Sequence, residues 1–181
     1  MTNQSDKKTL KTDPAIAAAA AAVDYDGLDK VLNEGVFRVK LFTSFDELDP
    51  LNMLHNSRYQ YILERATYMF FNSVKVIEEF DIVKYPDLHH VVHNINLNYL
   101  KPIFGVKPFI VSIAPQKLRE AGAVYDVAFL SEDYKTVYCK GSRTIAKVKP
   151  VTFEPVGWTS KFRRTHEYII DIIKKVQSKN N

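Results

Sequence analysis

The chain has 181 residues, of which 46% are hydrophobic and 25% are charged, and its formal net charge is +4. This length allows one domain, and the hydrophobic fraction excludes a mostly disordered chain. The single cysteine, Cys139, excludes a disulfide framework and a cysteine-based zinc site.

The first 33 residues are interpreted as a leader that carries no chemistry. Six consecutive alanines at 17–22 dominate the apolar stretch 15–23, which is much shorter than the roughly 20 residues of a membrane span. Asp13 and Pro14 predict the N-cap and the first position of a short helix there, in preference to a cleaved export signal. The single thiol and the lack of a convincing export signal favour the cytoplasm.

One strand and one long helix are predicted in the first half of the chain. Residues 36–42 alternate between apolar and charged side chains, which is typical of a half-buried strand. The helix is predicted from Ser57 to about Asn72, because its apolar residues recur at three- and four-residue steps. Gln60 follows Ser57 by three residues and indicates a capping box at the start of this helix.

The second half of the chain predicts an antiparallel sheet followed by a helix. Four alternating segments begin at His89, Phe109, Tyr125 and position 136. Short turns between the last three segments are typical of antiparallel strands. The alternation stops after Pro150, and Thr165 is interpreted as the N-cap of a final helix.

Two of these strands have patterns that predict which residues share a face. In the first, Val91 and His93 alternate in step with Ile95 and Leu97. In the last, the alternation runs through Thr144, Ala146 and Val148.

The element order gives an α+β fold class. A helix with one wide apolar face must lie against the sheet. We therefore divide the chain into a leader at 1–33, one domain at 34–150, and a C-terminal helical extension at 151–181.

The densest polar cluster in an apolar context lies between the first strand and the long helix, at residues 46–59. There the carboxylate of Asp49 precedes a helix N-terminus, whose unpaired N–H groups can polarise a carbonyl oxygen. A carboxylate at that place would stay ionised, as a base or nucleophile should. The alternative is that Asp49 and Asn56 only cap turns, and local spacing alone favours that simpler interpretation.

The same segment resembles the signature of the 4-hydroxybenzoyl-CoA thioesterase branch of the hotdog superfamily. Asp49 is followed ten residues later by Tyr59, and the segment 64–66, Glu-Arg-Ala, falls at the expected distance. The segment 99–102, Tyr-Leu-Lys-Pro, is similar to the family's Tyr-x-x-Pro strand end. The resemblance covers about residues 36–150 and leaves out the leader and the final helix.

The resemblance implies a hotdog fold, in which a curved antiparallel sheet of about five strands wraps a long central helix, here with extra terminal helices. It also implies a homodimer or a dimer of dimers, with active sites built by two chains at the dimer interface. The family's catalytic acid corresponds to Asp49, and Asn56 corresponds to the residue whose backbone N–H binds the thioester oxygen. The implied activity is hydrolysis of a thioester of CoA or of an acyl carrier protein, with no cofactor.

The sequence departs from the family pattern at two positions. Asn52 stands where the family usually has Gly, and Met53 stands where many members have His. Asn accepts a left-handed backbone less readily than Gly but better than most residues, so we expect the loop to keep its shape. His55 either supplies or positions a proton, or it is only a neighbour of the helix cap.

Further residues are candidates for binding the substrate. The region 101–149 holds nine basic and four acidic residues, which suits the phosphates of CoA or an acidic carrier protein. Glu64 matches a family position, with a salt bridge or an interface acid as the alternative. The substrate-binding candidates are Asn52, Met53, Tyr59, Glu64, Lys101 and Arg143.

Three other interpretations are weaker. His89 and His93 could hold a metal only on a helix, because on a strand they lie about 13 Å apart, so with His90 they are expected at a surface or interface. Hydration of an enoyl thioester is disfavoured because Asn and His each follow the Asp one residue later here than in the hydratase branch of the hotdog superfamily. A non-catalytic thioester-binding or structural protein is the main alternative class. The sequence predicts neither a nucleic-acid partner nor a membrane span.

Overall fold

The computed structural model describes residues 26–179 as five strands and three helices. Two short 3-10 turns lie at Phe45–Glu47 and Pro86–Leu88. The predicted alanine helix at 15–23 lies outside the described residues. The elements are, in chain order, α1 (Leu28–Glu34), β1 (Phe37–Phe42), α2 (Arg58–Ser73), β2 (His90–Tyr99), β3 (Pro108–Leu118), β4 (Gly122–Leu130), β5 (Val137–Lys147) and α3 (Ser160–Lys179).

The five strands form one sheet in the order β1-β3-β4-β5-β2, and every neighbouring pair is antiparallel. The predicted α+β class and antiparallel sheet are confirmed. β2 follows α2 in the chain but lies at the edge opposite β1. The chain therefore crosses the whole sheet between β1 and β2, and α2 makes that crossing.

The apolar stripe of α2 packs on the inner face of the sheet. Tyr59, near the start of the helix, places its ring 4.9 Å from that of Phe129 on β4. Phe70, near its end, lies 5.7 Å from the ring of Phe37 on β1. Leu63 is fully buried between them. Burial of such large apolar side chains along the whole helix fixes its position, and hence the position of its N-terminus.

The final helix is held to the core by a stack of three rings. Trp158 and Phe162 stack at 4.0 Å, and Phe162 and His166 stack at 3.8 Å between centroids. His166 Nδ1 lies 2.9 Å from the carbonyl of Phe162, and Nε2 lies 2.9 Å from the hydroxyl of Tyr125 on β4. Because the carbonyl can only accept, Nδ1 carries the proton and Nε2 accepts from Tyr125.

The predicted start of this helix was wrong. α3 begins at Ser160, five residues before Thr165. The hydroxyl of Thr159 accepts a hydrogen bond from the N–H of Phe162 at 3.3 Å and so caps the helix. The aromatic residues Phe162 and His166 extend the apolar face by more than one turn, which the aliphatic pattern did not indicate.

The predicted capping box at the start of α2 was also wrong. Ser57 has helical dihedral angles and its side chain makes no capping hydrogen bond. Its hydroxyl instead lies 2.9 Å from Nδ1 of His55. A capping box is present earlier in the chain, where Ser44 and Glu47 bond reciprocally at the first 3-10 turn.

A bulge in β2 changes the predicted face assignment. The pairing with β5 shifts between Val92 and Asn94, which leaves one extra residue on β2. Val92 pairs with Ile145 and Ile95 pairs with Arg143, so Val92 and Ile95 share the inner face. Val91, which the sequence pattern grouped with Ile95, lies on the outer face.

Two charged residues occupy the inner face of β5. Arg143 and Lys147 are buried there with Ile145, whereas Thr144 and Ala146 lie on the outer face. Lys147 Nζ lies 2.8 Å from a carboxylate oxygen of Asp87, and Arg143 pairs with Glu64 of α2. The alternation of apolar residues did not predict this inner face, because two of its residues are charged. Charged residues can be buried there because each is paired with an opposite charge.

β2 is an exposed edge strand of ten residues. Its inner-face residues Val92 and Tyr99 are 44% and 51% exposed. A long edge strand of this kind offers unpaired backbone groups and apolar side chains to another chain. None of the helices between residues 26 and 179 is long and apolar enough to cross a membrane.

We expect His166 to make stability depend on pH. Burial lowers its pKa to about 4, below the ordinary value near 6.5. The stability that neutral His166 contributes is therefore present above about pH 6.5 and is lost as the pH falls from 6.5 towards 4. The lost contribution is roughly 3 kcal/mol.

Denaturant unfolding at a series of pH values measures this loss. H166Q should be less stable than the wild type at pH 7, but its stability should fall much less between pH 6.5 and 4. The control H93Q replaces an exposed histidine and should keep the wild-type profile. Equal pH profiles for wild type and H166Q would contradict the assignment.

Candidate active site

The segment before α2 forms a tight hairpin around Asp49. The N–H of Asp49 donates to the carbonyl of Met53 at 2.8 Å, and the N–H of Asn52 donates to the carbonyl of Asp49 at 2.9 Å. A bridge between Leu48 and Leu54 closes the hairpin. Asn52 has φ of 61°, so the left-handed backbone at this position is carried by an asparagine.

The carboxylate of Asp49 uses one oxygen in this turn. Oδ1 accepts from the N–H of Leu51 at 2.8 Å and from the N–H of Met53 at 3.0 Å. Within residues 26–179, Oδ2 has no hydrogen-bond partner. The Asp49 side chain therefore forms the turn with Oδ1 and leaves Oδ2 available.

Backbone hydrogen bonds tie the hairpin to the rest of the domain. The N–H of Leu54 donates to Ile103 at 2.8 Å, and the N–H of Gly105 donates to Asn52 at 2.9 Å. The N–H of His55 donates to the carbonyl of Glu47 at 2.9 Å. These bonds hold Asp49 at a fixed place relative to the start of α2.

An available backbone donor lies just before α2, at Asn56. The N–H of Ser57 donates to Nδ1 of His55 at 3.2 Å, and the N–H of Arg58 donates to the carbonyl of His55 at 2.9 Å. In the described part of the chain, nothing accepts from the N–H of Asn56. Because Nδ1 of His55 accepts, the neutral ring carries its proton on Nε2.

These groups line one cleft of about 370 Å³. It lies between the Asp49 hairpin, the first turn of α2 and the end of β2. The lining residues are Asp49, Met53, Leu54, His55, Asn56, Tyr59, Tyr99, Leu100, Lys101 and Pro102. Asp49 and Asn56 therefore line the same space.

Two tyrosines form an aromatic wall of this cleft. The rings of Tyr59 and Tyr99 meet edge to face at 4.9 Å. Burial raises the pKa of both hydroxyls, so both are neutral at ordinary pH. The hydroxyl of Tyr99 lies 3.5 Å from the carbonyl of Asn56 and links β2 to the helix start.

The cleft gathers most of the predicted site residues but not all of them. Asn52 lies in the hairpin but is not among the lining residues. Glu64 and Arg143 also lie outside it and form an ion pair with each other. In this pair Arg143 is 1% exposed and Glu64 is 60% exposed. Nε and Nη1 of Arg143 are buried without a hydrogen-bond partner among the described residues.

The structure adds lining residues from the end of β2. Tyr99, Leu100 and Pro102 belong to the Tyr-x-x-Pro segment, which the sequence identified as a strand end and not as a cleft wall. Their contribution depends on where β2 ends relative to α2, which is a property of the fold. Within residues 26–179, no three His, Cys, Asp or Glu side chains are arranged to hold a metal ion.

Comparison with known proteins identifies the fold. No protein-family model matches the sequence, and no curated protein matches it either. Among solved structures, the DHNA-CoA thioesterase of Staphylococcus aureus is 23% identical, with a TM-score of 0.60 over 80% of this chain and 92% of that chain. A thioesterase of Thermus thermophilus, complexed with coenzyme A and Zn, is 18% identical, with a TM-score of 0.62 over 77% of this chain and 97% of that chain.

A third similar structure supports the same conclusion. The 1,4-dihydroxy-2-naphthoyl-CoA thioesterase of Synechocystis is 7% identical, with a TM-score of 0.63 over 73% of this chain and 96% of that chain. At these identities the likeness shows a common fold. The hotdog fold implied by the sequence resemblance is therefore confirmed, with nearly the full length of each compared structure matched.

We expect the effect of a substitution at Asn52 on stability to depend on how well the new residue accepts the left-handed backbone. N52G should match or exceed the wild-type stability, because Gly adopts positive φ without strain. N52V should be less stable by roughly 1–2 kcal/mol, because a β-branched residue is strained at this φ. Denaturant unfolding measures both, with L51V at the exposed neighbouring position as the control. Equal stability of N52G and N52V would contradict the strained hairpin.

Proposed function

We propose that this chain, which has the hotdog fold of the thioesterases it resembles, hydrolyses acyl thioesters of CoA or of an acyl carrier protein. One observation carries the proposal. Asp49, whose Oδ2 has no hydrogen-bond partner in residues 26–179, and Asn56, whose N–H has no acceptor there, line the same cleft. Thioester hydrolysis needs such a base or nucleophile and a donor for the developing oxyanion.

In the proposed reaction the thioester carbonyl lies between these two groups. In one route, Asp49 takes a proton from water while the water oxygen attacks the carbonyl carbon. In the other, an Asp49 oxygen attacks, and water then hydrolyses the resulting mixed anhydride. In both routes the N–H of Asn56 donates to the oxyanion, and the tetrahedral intermediate collapses by expelling the thiolate.

His55 and Lys101 are proposed to assist at the edges of the cleft. His55 carries its proton on Nε2, so it can donate to the leaving sulfur or to the substrate. Lys101 is exposed at the cleft lining, where its charge suits a phosphate of CoA or an acidic carrier protein. Tyr59 and Tyr99 provide an apolar wall for the part of the substrate next to the carbonyl.

We also propose that the active form is a homodimer joined through β2. The exposed strand edge and its half-exposed Val92 and Tyr99 support this pairing. Tyr99 lines the cleft, so a partner strand on β2 would lie beside the site. A dimer of dimers would keep the same β2 contact.

A non-catalytic thioester-binding protein is the second candidate. It is favoured by the turn-forming hydrogen bonds of Asp49, which would be needed even if the carboxylate had no chemical role. The two candidates differ in one outcome. A binding protein leaves a bound CoA ester intact, whereas an enzyme releases free CoA.

Replacing Asp49 by Asn tests the catalytic role. Asn keeps an oxygen in the position of Oδ1, so the turn should persist while the base or nucleophile is lost. We expect D49N to lower kcat by roughly 10²- to 10⁴-fold. Thiol release from a panel of acyl-CoA and acyl-carrier-protein esters measures the rates.

The control for this experiment is D46N, an exposed acid of the same segment outside the cleft lining. D46N should retain the wild-type rate. Equal rates for wild type and D49N would reject Asp49, and a wild type that binds esters without releasing thiol would favour the binding protein.

Sedimentation equilibrium tests the proposed dimer. We expect a particle of twice the 20.8 kDa chain mass, or of four times that mass for a dimer of dimers. Activity per chain should fall on dilution below the dimer dissociation constant. A monomer with full activity would contradict the β2 interface.

A further inference from the structure

One end of the domain exposes a group of large apolar side chains. It is the end at which β1 and β2 finish and β3 begins, next to the Asp49 hairpin. Each of these side chains is between 52% and 86% exposed, and we call the group the apolar end: Phe42, Phe45, Leu51, Phe104 and Val106. Single exposed apolar residues are ordinary, whereas several gathered at one place mark an interaction surface.

Hydrogen bonds join the three chain segments that carry these residues. The hydroxyl of Thr43 donates to the carbonyl of Gly105 at 2.7 Å and accepts from the N–H of Lys107 at 2.8 Å. The N–H of Gly105 donates to the carbonyl of Asn52 at 2.9 Å. Each residue of the apolar end lies within two positions of one of these bonded residues. The apolar end is therefore one connected structure and not three independent loops.

The backbone at the apolar end is largely hydrogen-bonded within the domain. The N–H groups of Leu51 and Met53 donate to the Asp49 carboxylate at 2.8 and 3.0 Å. The N–H of Thr43 donates to the carbonyl of Lys107 at 3.1 Å. The hydrocarbon region of a lipid bilayer offers no partner to unpaired backbone groups. Loops whose backbone is paired in this way can therefore approach that region at little cost.

Two lysines accompany the apolar end. Lys101 is exposed in the loop between β2 and β3, and Lys107 lies in the same loop with Nζ 5.0 Å from the centre of the Tyr138 ring. Neither lysine is in an ion pair with another residue of 26–179. Asp46, next to Phe45, is an exposed acid, and the two ammonium groups outnumber it. This combination suits a layer of lipid phosphates.

Exposed apolar residues at the opposite end of the strands lack unpaired lysines beside them. Val83 and Phe153 are 89% and 68% exposed. The neighbouring lysines, Lys84 and Lys149, are both in ion pairs with glutamates. Val83 and Phe153 therefore provide a control of similar apolar exposure for experiments on the apolar end.

We propose that the apolar end docks on an anionic lipid bilayer, with its phenylalanines at the boundary of the acyl chains and Lys101 and Lys107 at the phosphate layer. Binding at such an interface grows with the apolar area that is buried and with the attraction to anionic lipids. The hairpin that carries Leu51 also lines the cleft through Asp49 and Met53, so docking brings the cleft to the membrane surface.

Co-sedimentation of the full chain with vesicles tests the docking. The vesicles contain phosphatidylcholine, with phosphatidylglycerol as the anionic lipid. F45S/L51S should bind at least about tenfold more weakly than the wild type, because two apolar side chains no longer leave water. The matched control V83S/F153S should bind like the wild type. No vesicle binding by the wild type, or an equal loss in both double variants, would overturn the proposal.

Removal of the two lysine charges tests the electrostatic part. K101Q/K107Q should bind the anionic vesicles at least about fivefold more weakly than the wild type. Vesicles of phosphatidylcholine alone should bind this variant and the wild type equally. Equal affinity of the two proteins for the anionic vesicles would overturn the role assigned to the lysines.

A tryptophan placed in the apolar end covers the case in which F45S/L51S does not fold. The emission of F45W should move to shorter wavelength on addition of vesicles and be quenched by lipids brominated on the acyl chain. F153W should keep its emission, and the buried Trp158 contributes the same background to both. Unchanged emission of F45W at saturating lipid would overturn the proposal.

The same fluorescence experiment separates a lipid surface from a protein partner. An acidic acyl carrier protein, or self-association of the chain at high concentration, that shifts the F45W emission where vesicles do not would overturn the lipid assignment. Because the vesicles contain no thioester, these results are independent of the proposed thioesterase activity.

Discussion

The packing of α2 along the inner face of the sheet determines where the residues of the candidate site lie. Tyr59 contacts Phe129 near one end of the helix, and Phe70 contacts Phe37 near the other. A buried helix held at both ends cannot slide, since any shift would open voids in a close-packed core. Its N-terminus is thereby fixed beside the Asp49 hairpin, and its later turns line another cavity together with Phe80 and Leu88.

The inner face of the sheet combines this apolar packing with a few compensated charges. Lys147 pairs with Asp87, which also accepts from the N–H of Thr159 at 3.0 Å and so joins β5 to the start of α3. Arg143 reaches across to Glu64 on α2. Such pairs contribute little net stability, but breaking one would leave a buried charge uncompensated. These ion pairs specify how the helices are oriented on the sheet.

The sequence predicted the parts of the structure that depend on local periodicity. The α+β class, β1, α2 to within one residue of its end, and the four later strands all follow from spacing of two or of three to four residues. One prediction failed because of another local contact, since the Ser57 hydroxyl bonds to His55 two residues earlier and not to the helix N-terminus. The other failed because of long-range contacts: α3 begins at Ser160, and its first turns pack on the core through Phe162 and His166.

By itself, the sequence determined the fold class, the resemblance to hotdog thioesterases, and Asp49 and Asn56 as the pair to examine. Only the tertiary structure decided which other residues join them. It placed Tyr99 and Lys101 in the cleft and moved Glu64 and Arg143 out of it. It also made His90 part of a separate cavity. The reason is physical: periodicity reports which face of an element is apolar, whereas a site depends on how separate elements meet.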